Sequence, residues 1–238
     1  MPEAIVSRAT QLETPSDGQT VDDVENMALI NQLANTPLSR GQVYIRSMYL
    51  CSSQLCESDW CRFTTRALDS ICRKVVGQSV LAGHDKRTLP VARFFKAALV
   101  ERPEVPEADS GKPTLWVRAW FYWLKGTHGA DDLALNMDGG IYREVSISWR
   151  YSGGHCSICG KPMRSCPHQA GEVYDNQVCY TWIENILDVL EGSLVYKGAD
   201  RETAIAGEHQ PRFEPQPTAL ERLLLFEVEL FRDGGSQL

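Results

Sequence analysis

The chain has 238 residues and a formal net charge of −7, with 43% hydrophobic and 23% charged residues. This composition is that of an ordinary globular protein with enough apolar material for a core, and the acidic balance argues against broad nucleic-acid binding. No apolar run reaches membrane-spanning length and no signal peptide is visible, so we expect a chain that stays in a reducing cytoplasm without a membrane partner. The eight cysteines are therefore expected to be metal ligands or buried thiols rather than disulfides.

Hydrophobic periodicity, capping residues and turn residues predict more strands than helices. In chain order, the predicted elements are a helix over residues 20–36, a strand over 42–50, a helix over 64–76, strands over 79–81, 93–100 and 115–124, a helix over 129–137 and a strand over 142–149. Because the strands are often joined by loops rather than by crossover helices, the order favours a mainly β, α+β fold. We expect an antiparallel, barrel-like sheet with peripheral helices.

Two later segments are less regular. Residues 101–113 contain three prolines and are predicted to be a loop. Residues 181–195 fit either a helix that ends at Leu190 or a strand over 186–195. Near the end of the chain, a linker over 208–218 precedes a helix over 218–233, which we expect to serve docking or oligomerisation.

The elements predict three parts of the chain. They are an N-terminal extension with a helix (residues 1–41), a main domain (residues 42–207) with a cysteine-rich insertion (residues 152–180), and a linker with a C-terminal helix (residues 208–238).

The insertion carries a metal-ligand pattern, Cys156-x2-Cys159-x6-Cys166-x-His168. Three thiolates and one imidazole can complete a zinc tetrahedron without an open position, so the spacing predicts a structural Zn²⁺ site. Gly160 relieves the backbone after the first pair.

Other donors leave alternatives open. His155 and Cys179 are spare donors that could replace His168. An earlier group of cysteines has no nearby histidine, and buried thiols are expected there rather than a second metal: Cys51, Cys56, Cys61 and Cys72.

A serine in the strand before the insertion is a candidate nucleophile. Ser146 and Ser148 share one face of this strand because side chains alternate across the pleat. A hydroxyl needs a base to take its proton, and His84 lies in a suitable loop, after Gly83 at the end of a short strand and before Asp85.

Three blocks in order resemble the prohead proteases of tailed bacteriophages. Residues 78–97, QSVLAGHDKRTLPVARFFKA, are similar to the segment around that family's catalytic histidine, with Ala92 in place of a glycine. Residues 145–149, VSISW, are similar to the strand that carries the nucleophile, with Ser148 in place of a glycine. Residues 190–204, LEGSLVYKGADRETA, are similar to the family's Glu-Val-Ser-Leu-Val stretch and the Pro-Ala-Asn after it.

The resemblance implies a fold like that of the herpesvirus assemblins and a serine endopeptidase with Ser146 as nucleophile, His84 as general base and Glu191 as the acidic partner. It implies scaffold protein and major capsid protein as substrates, cut within the assembling prohead in the bacterial cytoplasm. Self-association is expected as well. Asp85 and Asp188 stay open as the acidic residue, and Ser148 stays open as the nucleophile.

The oxyanion-hole donors are also open at this point, with candidates near the proposed nucleophile at Arg143, Arg150 and the glycines 139–140. Two other functions compete with the protease. One is a zinc-stabilised, non-catalytic capsid-assembly or scaffold protein. The other is a zinc-ribbon nucleic-acid binder, for which Lys161 and Arg164 are the only basic residues between the ligands.

Overall fold

The structure, a computed structural model, describes residues 21–107, 111–200 and 202–206, all of which belong to a unit that ends at Ala206. The predicted linker over 208–218 and the predicted C-terminal helix over 218–233 lie outside the described residues. No described helix is both long and apolar enough to span a bilayer.

The described chain forms three helices, twelve strands and two short 3₁₀ turns. The helices are α1 (Val21–Leu33), α2 (Thr65–Val75) and α3 (Ala130–Asp138). The 3₁₀ turns are Arg40–Gln42 and Met163–Ser165. The strands are β1 (Val43–Ser52), β2 (Cys61–Phe63), β3 (Ser79–Ala82), β4 (Ala92–Pro106), β5 (Pro113–Leu124), β6 (Val145–Tyr151), β7 (Gly154–Cys156), β8 (Val173–Tyr174), β9 (Gln177–Val178), β10 (Thr181–Ile183), β11 (Ile186–Leu194) and β12 (Ala204–Ile205).

A seven-stranded sheet in the order β12-β1-β5-β4-β3-β11-β6 dominates this fold. Its neighbouring strands are antiparallel except for β3 and β11, which run parallel. The sheet curls into a half-barrel. Strands make up 40% of the structure and helices 21%, so the prediction of a mainly β fold is confirmed. A bridge between Glu144 and Ala204 brings the start of β6 towards β12, at the far side of the sheet.

Helix α2 covers one face of the sheet because one side of the helix is apolar. Its buried residues include Leu68 and Ile71, which belong to the main core with Phe94 and Phe121 of the sheet. Thr64 caps the helix by accepting a hydrogen bond from the Ala67 amide at 3.2 Å.

Helix α1 belongs to a second, smaller core. Ile30 of α1 clusters there with Phe95 of β4 and Tyr122 of β5. Phe94 and Phe95 are neighbours in one strand and therefore point to opposite faces, which is why the sheet has a core on each side.

Strand β4 is longer than predicted. The prolines predict a loop from residue 101, but β4 continues to Pro106 and pairs with β5 up to Pro113. The register shifts between Arg102 and Pro106, and such an irregularity tolerates a proline, which has no N–H for the ladder.

The ambiguous segment 181–195 forms two strands, β10 and β11, and no helix. Strand β10 joins the small sheet β2-β10-β7, and β11 enters the large sheet between β3 and β6. The helical alternative for this segment is therefore wrong.

Candidate active site and metal centre

The candidate active site starts with a tight turn after β3. Gly83 and His84 both have left-handed backbones, with φ of +63° and +59°. Glycine adopts this conformation freely, whereas a residue with a side chain loses about 1 kcal/mol there. The Gly83 amide donates to the Leu194 carbonyl at 2.8 Å. The turn therefore brings the His84 side chain back over β11 instead of letting the chain run on.

The His84 imidazole contacts a buried carboxylate. Its Nδ1 lies 2.6 Å from Oε1 of Glu191, whose side chain is 2% exposed, whereas the imidazole is 37% exposed. An ionised carboxylate only accepts hydrogen bonds, so Nδ1 carries the proton in this pair and Nε2 is left as the basic nitrogen. This is the tautomer that a histidine needs to act as a general base.

The second carboxylate oxygen of Glu191 is also paired. The hydroxyl of Ser193, which is fully buried, donates to Oε2 at 2.6 Å and accepts the His84 backbone N–H at 3.2 Å. Sequence reasoning missed Ser193, although its position two residues after Glu191 puts both side chains on one face of a strand. That spacing is the signal that could have found it.

The candidate nucleophile lies on the same face of the next strand. Strands β11 and β6 pair Ser193 with Ser146 and Glu191 with Ser148, and directly opposed residues of an antiparallel pair point to the same face. Both strand serines are partly exposed. Within the described residues, no hydrogen bond joins either hydroxyl to His84.

The structure thus brings His84, Glu191 and Ser146 to one face of three adjacent strands, β3, β11 and β6. Ser148 shares that face, so the choice between the two serines stays open.

The two other acidic candidates form ion pairs of their own. Asp85 hydrogen-bonds the Arg87 guanidinium at 2.9 and 3.0 Å, and this contact lowers the pKa of Asp85. Asp188 lies 3.0 Å from Arg150. Of the three carboxylates, Glu191 is therefore the one placed to orient His84.

The oxyanion-hole candidate Arg150 is engaged by its ion pair with Asp188. The amides of Gly139 and Gly140 are also engaged, because they donate to the Leu135 and Met137 carbonyls at the end of α3. These two glycines are hence not free oxyanion donors in this conformation.

No family model matches this chain, and the comparisons found no similar curated protein and no similar solved structure at a significant level.

The four predicted metal ligands lie together in the insertion. Four donor atoms lie within 4.8 Å of one another, one each from Cys156, Cys159, Cys166 and His168. Individual separations include 3.4 Å between the sulfurs of Cys159 and Cys166 and 3.3 Å from the Cys166 sulfur to His168 Nδ1. A zinc tetrahedron with bonds of about 2.0–2.3 Å has edges of roughly 3.5–3.8 Å. The cluster of these four residues, called here the Cys/His cluster, can therefore hold a metal ion such as zinc.

The backbone around the cluster favours a thiolate at Cys156. Burial raises the pKa of Cys156, but hydrogen bonds from the Cys159 and Ile158 amides and from neighbouring thiols outweigh it and bring the pKa down to about 6. Gly160, at φ +69°, turns the chain so that its amide donates to the Cys156 carbonyl at 2.9 Å. A thiolate is the form that binds metal.

The two spare donors are placed differently. His155 lies 3.8 Å from Glu184, outside the cluster. Cys179 is fully buried and its sulfur lies 3.7 Å from that of Cys156, so it borders the cluster as a fourth sulfur and a fifth potential donor.

The earlier cysteines are buried in the main core. Cys51, Cys56, Cys61 and Cys72 all belong to it. Among the described side chains, the Cys/His cluster is the one group of three or more donors close enough to hold a metal. Burial raises the pKa of Cys51 well above its ordinary value and that of Cys72 to about 11, as for neutral thiols.

Proposed function

We propose that the protein is a serine endopeptidase that cuts scaffold protein, major capsid protein or both during phage prohead maturation. The observation that carries the proposal is the 2.6 Å contact between His84 Nδ1 and the buried Glu191 carboxylate, on the sheet face that also presents Ser146. A buried carboxylate that fixes a half-exposed histidine beside a serine is the arrangement of a nucleophile, a base and its orienting group.

In the proposed reaction, the Ser146 oxygen attacks the scissile carbonyl while Nε2 of His84 takes the hydroxyl proton. The same nitrogen then gives that proton to the leaving amine. Glu191 keeps the proton of the imidazole on Nδ1 and stabilises the imidazolium by charge. Ser146 has to form its hydrogen bond to His84 when substrate binds, and such bonds are often long before that stage.

We further infer that the Cys/His cluster holds a structural Zn²⁺. Three thiolates and one imidazole leave no coordination position for water or substrate. Residues 152–180 connect β6, which carries Ser146, to β10 and then β11, which carries Glu191. A metal there would fix the long connection between the two strands, which has little apolar core of its own.

The substrate assignment depends on the resemblance to the prohead proteases and to their assemblin-like fold. The test is to express the chain with the scaffold and capsid proteins of its own phage and measure their masses. We expect new termini with the unchanged chain and none with Ser146→Ala, His84→Ala or Glu191→Ala. Ser148→Ala is the matched control, because it removes a hydroxyl from the same face of β6.

Two outcomes would contradict the proposal. Undiminished cleavage by Ser146→Ala together with its loss in Ser148→Ala would move the nucleophile to Ser148. Intact scaffold and capsid proteins beside the unchanged chain would favour the second candidate, a zinc-stabilised assembly protein without catalysis. The observation in favour of that candidate is that no hydrogen bond joins Ser146 to His84 among the described residues.

A further inference from the structure

Ser193 is the only hydroxyl among the described residues that contacts both Glu191 and the His84 loop. It is 0% exposed, and it makes two hydrogen bonds, one to the Glu191 carboxylate and one from the His84 amide. Neither the proposed reaction nor the core explains a fully buried hydroxyl at this position, because an alanine would fill most of the same space.

The directions of the two bonds are fixed by chemistry. A serine hydroxyl has one proton, and the carboxylate oxygen only accepts, so the proton goes to Glu191. The backbone N–H of His84 only donates, so the Ser193 oxygen must accept it. The hydroxyl therefore connects β11 to the left-handed turn that carries the imidazole.

Removal of this hydroxyl would take a hydrogen-bond partner from the buried Glu191 carboxylate and from the partly buried His84 amide. Oε2 of Glu191 would lose its donor, and a buried unpaired carboxylate oxygen is strongly disfavoured. The His84 amide would lose its acceptor in a turn whose backbone is already strained. The carboxylate would then be free to rotate, and the imidazole would lose its fixed orientation.

A nucleophilic role for Ser193 does not fit the same geometry. Its proton points to Glu191 rather than to an imidazole nitrogen, and its side chain is closed to solvent.

We propose that Ser193 is a positioning residue that locks the Glu191 carboxylate and the His84 turn into the orientation needed for proton transfer. This inference rests on the proposed protease function. Ser193 acts through Glu191 and His84 and does not touch substrate.

The test uses the full chain with Ser193→Ala and with Ser193→Cys, which keeps the volume but replaces the hydroxyl with a weak donor. Ser52→Ala is the matched control, because Ser52 also donates at 2.6 Å to a buried carboxylate, that of Asp200. Turnover is measured on a peptide that spans the cleavage site found in the capsid or scaffold protein. The His84 Nδ1–H signal is measured by NMR with ¹⁵N-labelled histidine and assigned with His84→Asn.

We expect both Ser193 variants to lose kcat, on the order of 10- to 100-fold for Ser193→Ala, with KM changed less than about twofold. The Nδ1–H signal should broaden or disappear through faster exchange with water in both variants, and it should persist in Ser52→Ala. A wild-type kcat in either folded variant would overturn the proposal, and so would an unchanged Nδ1–H signal.

The two proposals fail in different ways. If the unchanged chain cuts neither scaffold nor capsid protein, the protease function is wrong, and the NMR signal alone still decides whether Ser193 orders His84. If Ser146→Ala abolishes cleavage but Ser193→Ala does not reduce it, the protease function stands and the positioning role is wrong.

Discussion

Replacement of Glu191 by glutamine tests the candidate site with the smallest change in shape. The carboxylate accepts two hydrogen bonds, from His84 Nδ1 and from the Ser193 hydroxyl, both at 2.6 Å. An amide has one accepting oxygen and one donating nitrogen, so Glu191→Gln cannot accept both bonds.

Either orientation of the amide is unfavourable. If its nitrogen faces His84, Nδ1 must accept a hydrogen bond and the imidazole proton moves to Nε2. A protonated Nε2 cannot take the proton of the serine, so His84 could not act as a base. If its nitrogen faces Ser193, the Ser193 proton loses its acceptor in a site that is closed to water. Hydrogen bonds to charged groups stabilise by about 1.5–3 kcal/mol, so we expect the unfolding free energy to fall by about 2 kcal/mol.

The expected kinetic effect is larger than this loss of stability. A wrong tautomer or a lost orienting charge lowers kcat by about 10²–10⁴ in enzymes of this mechanism. The assay is peptide turnover under conditions in which the variant is shown to be folded, with urea unfolding followed in parallel. Asp188→Asn is the control, because it makes the same carboxylate-to-amide change at a residue that pairs with Arg150 rather than with His84. Turnover by Glu191→Gln within threefold of wild type would refute the assignment of Glu191.

Three further changes test the rest of the account. Chelation with EDTA or a stronger zinc ligand should lower the unfolding temperature and release about one Zn²⁺ per chain by atomic absorption, and an unchanged melting curve with no released metal would remove the structural zinc. Burial raises the pKa of Asp200 to about 6 from an ordinary 3.8, so the folded state binds this proton more tightly and stability falls as the pH rises between these two values. Asp200→Asn should abolish about 3 kcal/mol of that pH dependence in urea titrations from pH 3.5 to 7, and a wild-type slope in the variant would contradict this. Gly192→Ala should destabilise the fold by roughly 1–3 kcal/mol in urea unfolding, because a Cβ there would lie 2.7 Å from the Phe94 ring, and a neutral effect would show that the ring can move aside.

Local sequence patterns predicted the elements that their own residues dictate. Residues 115–124 are nearly continuous in apolar and aromatic side chains, and they form the predicted strand as β5, which lies inside the large sheet. The Cys/His spacing predicted its cluster because the four donors lie within thirteen positions of the chain.

The segment 186–195 could not be assigned from its pattern because of an irregular register. The β11–β6 ladder shifts between Val189 and Glu191. Ile186, Val189 and Leu194 are all buried in the main core. Because of the bulge, the buried residues of this strand are spaced almost as they would be on one face of a helix. The sequence pattern therefore fits both a helix and a strand, and pairing with the neighbouring strands β3 and β6 decides for the strand.

The candidate site depends on contacts that no local pattern contains. His84 and Glu191 are separated by 107 positions, and they meet because β3 and β11 run parallel and side by side. Family resemblance pointed to these two residues. The spacing of Ser193 after Glu191 predicts only a shared strand face, whereas the hydrogen bond from the His84 amide to Ser193 is a contact between distant parts of the chain.

The most direct test of the central claim is covalent labelling of the chain with a fluorophosphonate. The serine oxygen would displace fluoride from phosphorus, and peptide mapping by mass spectrometry would locate the modified residue. Because activation requires a base that takes the serine proton, we expect one label on Ser146, a rate at least about 100-fold lower in His84→Ala, and unchanged labelling in Ser148→Ala. Labelling at another residue, or labelling of Ser146 at the same rate without His84, would contradict the account.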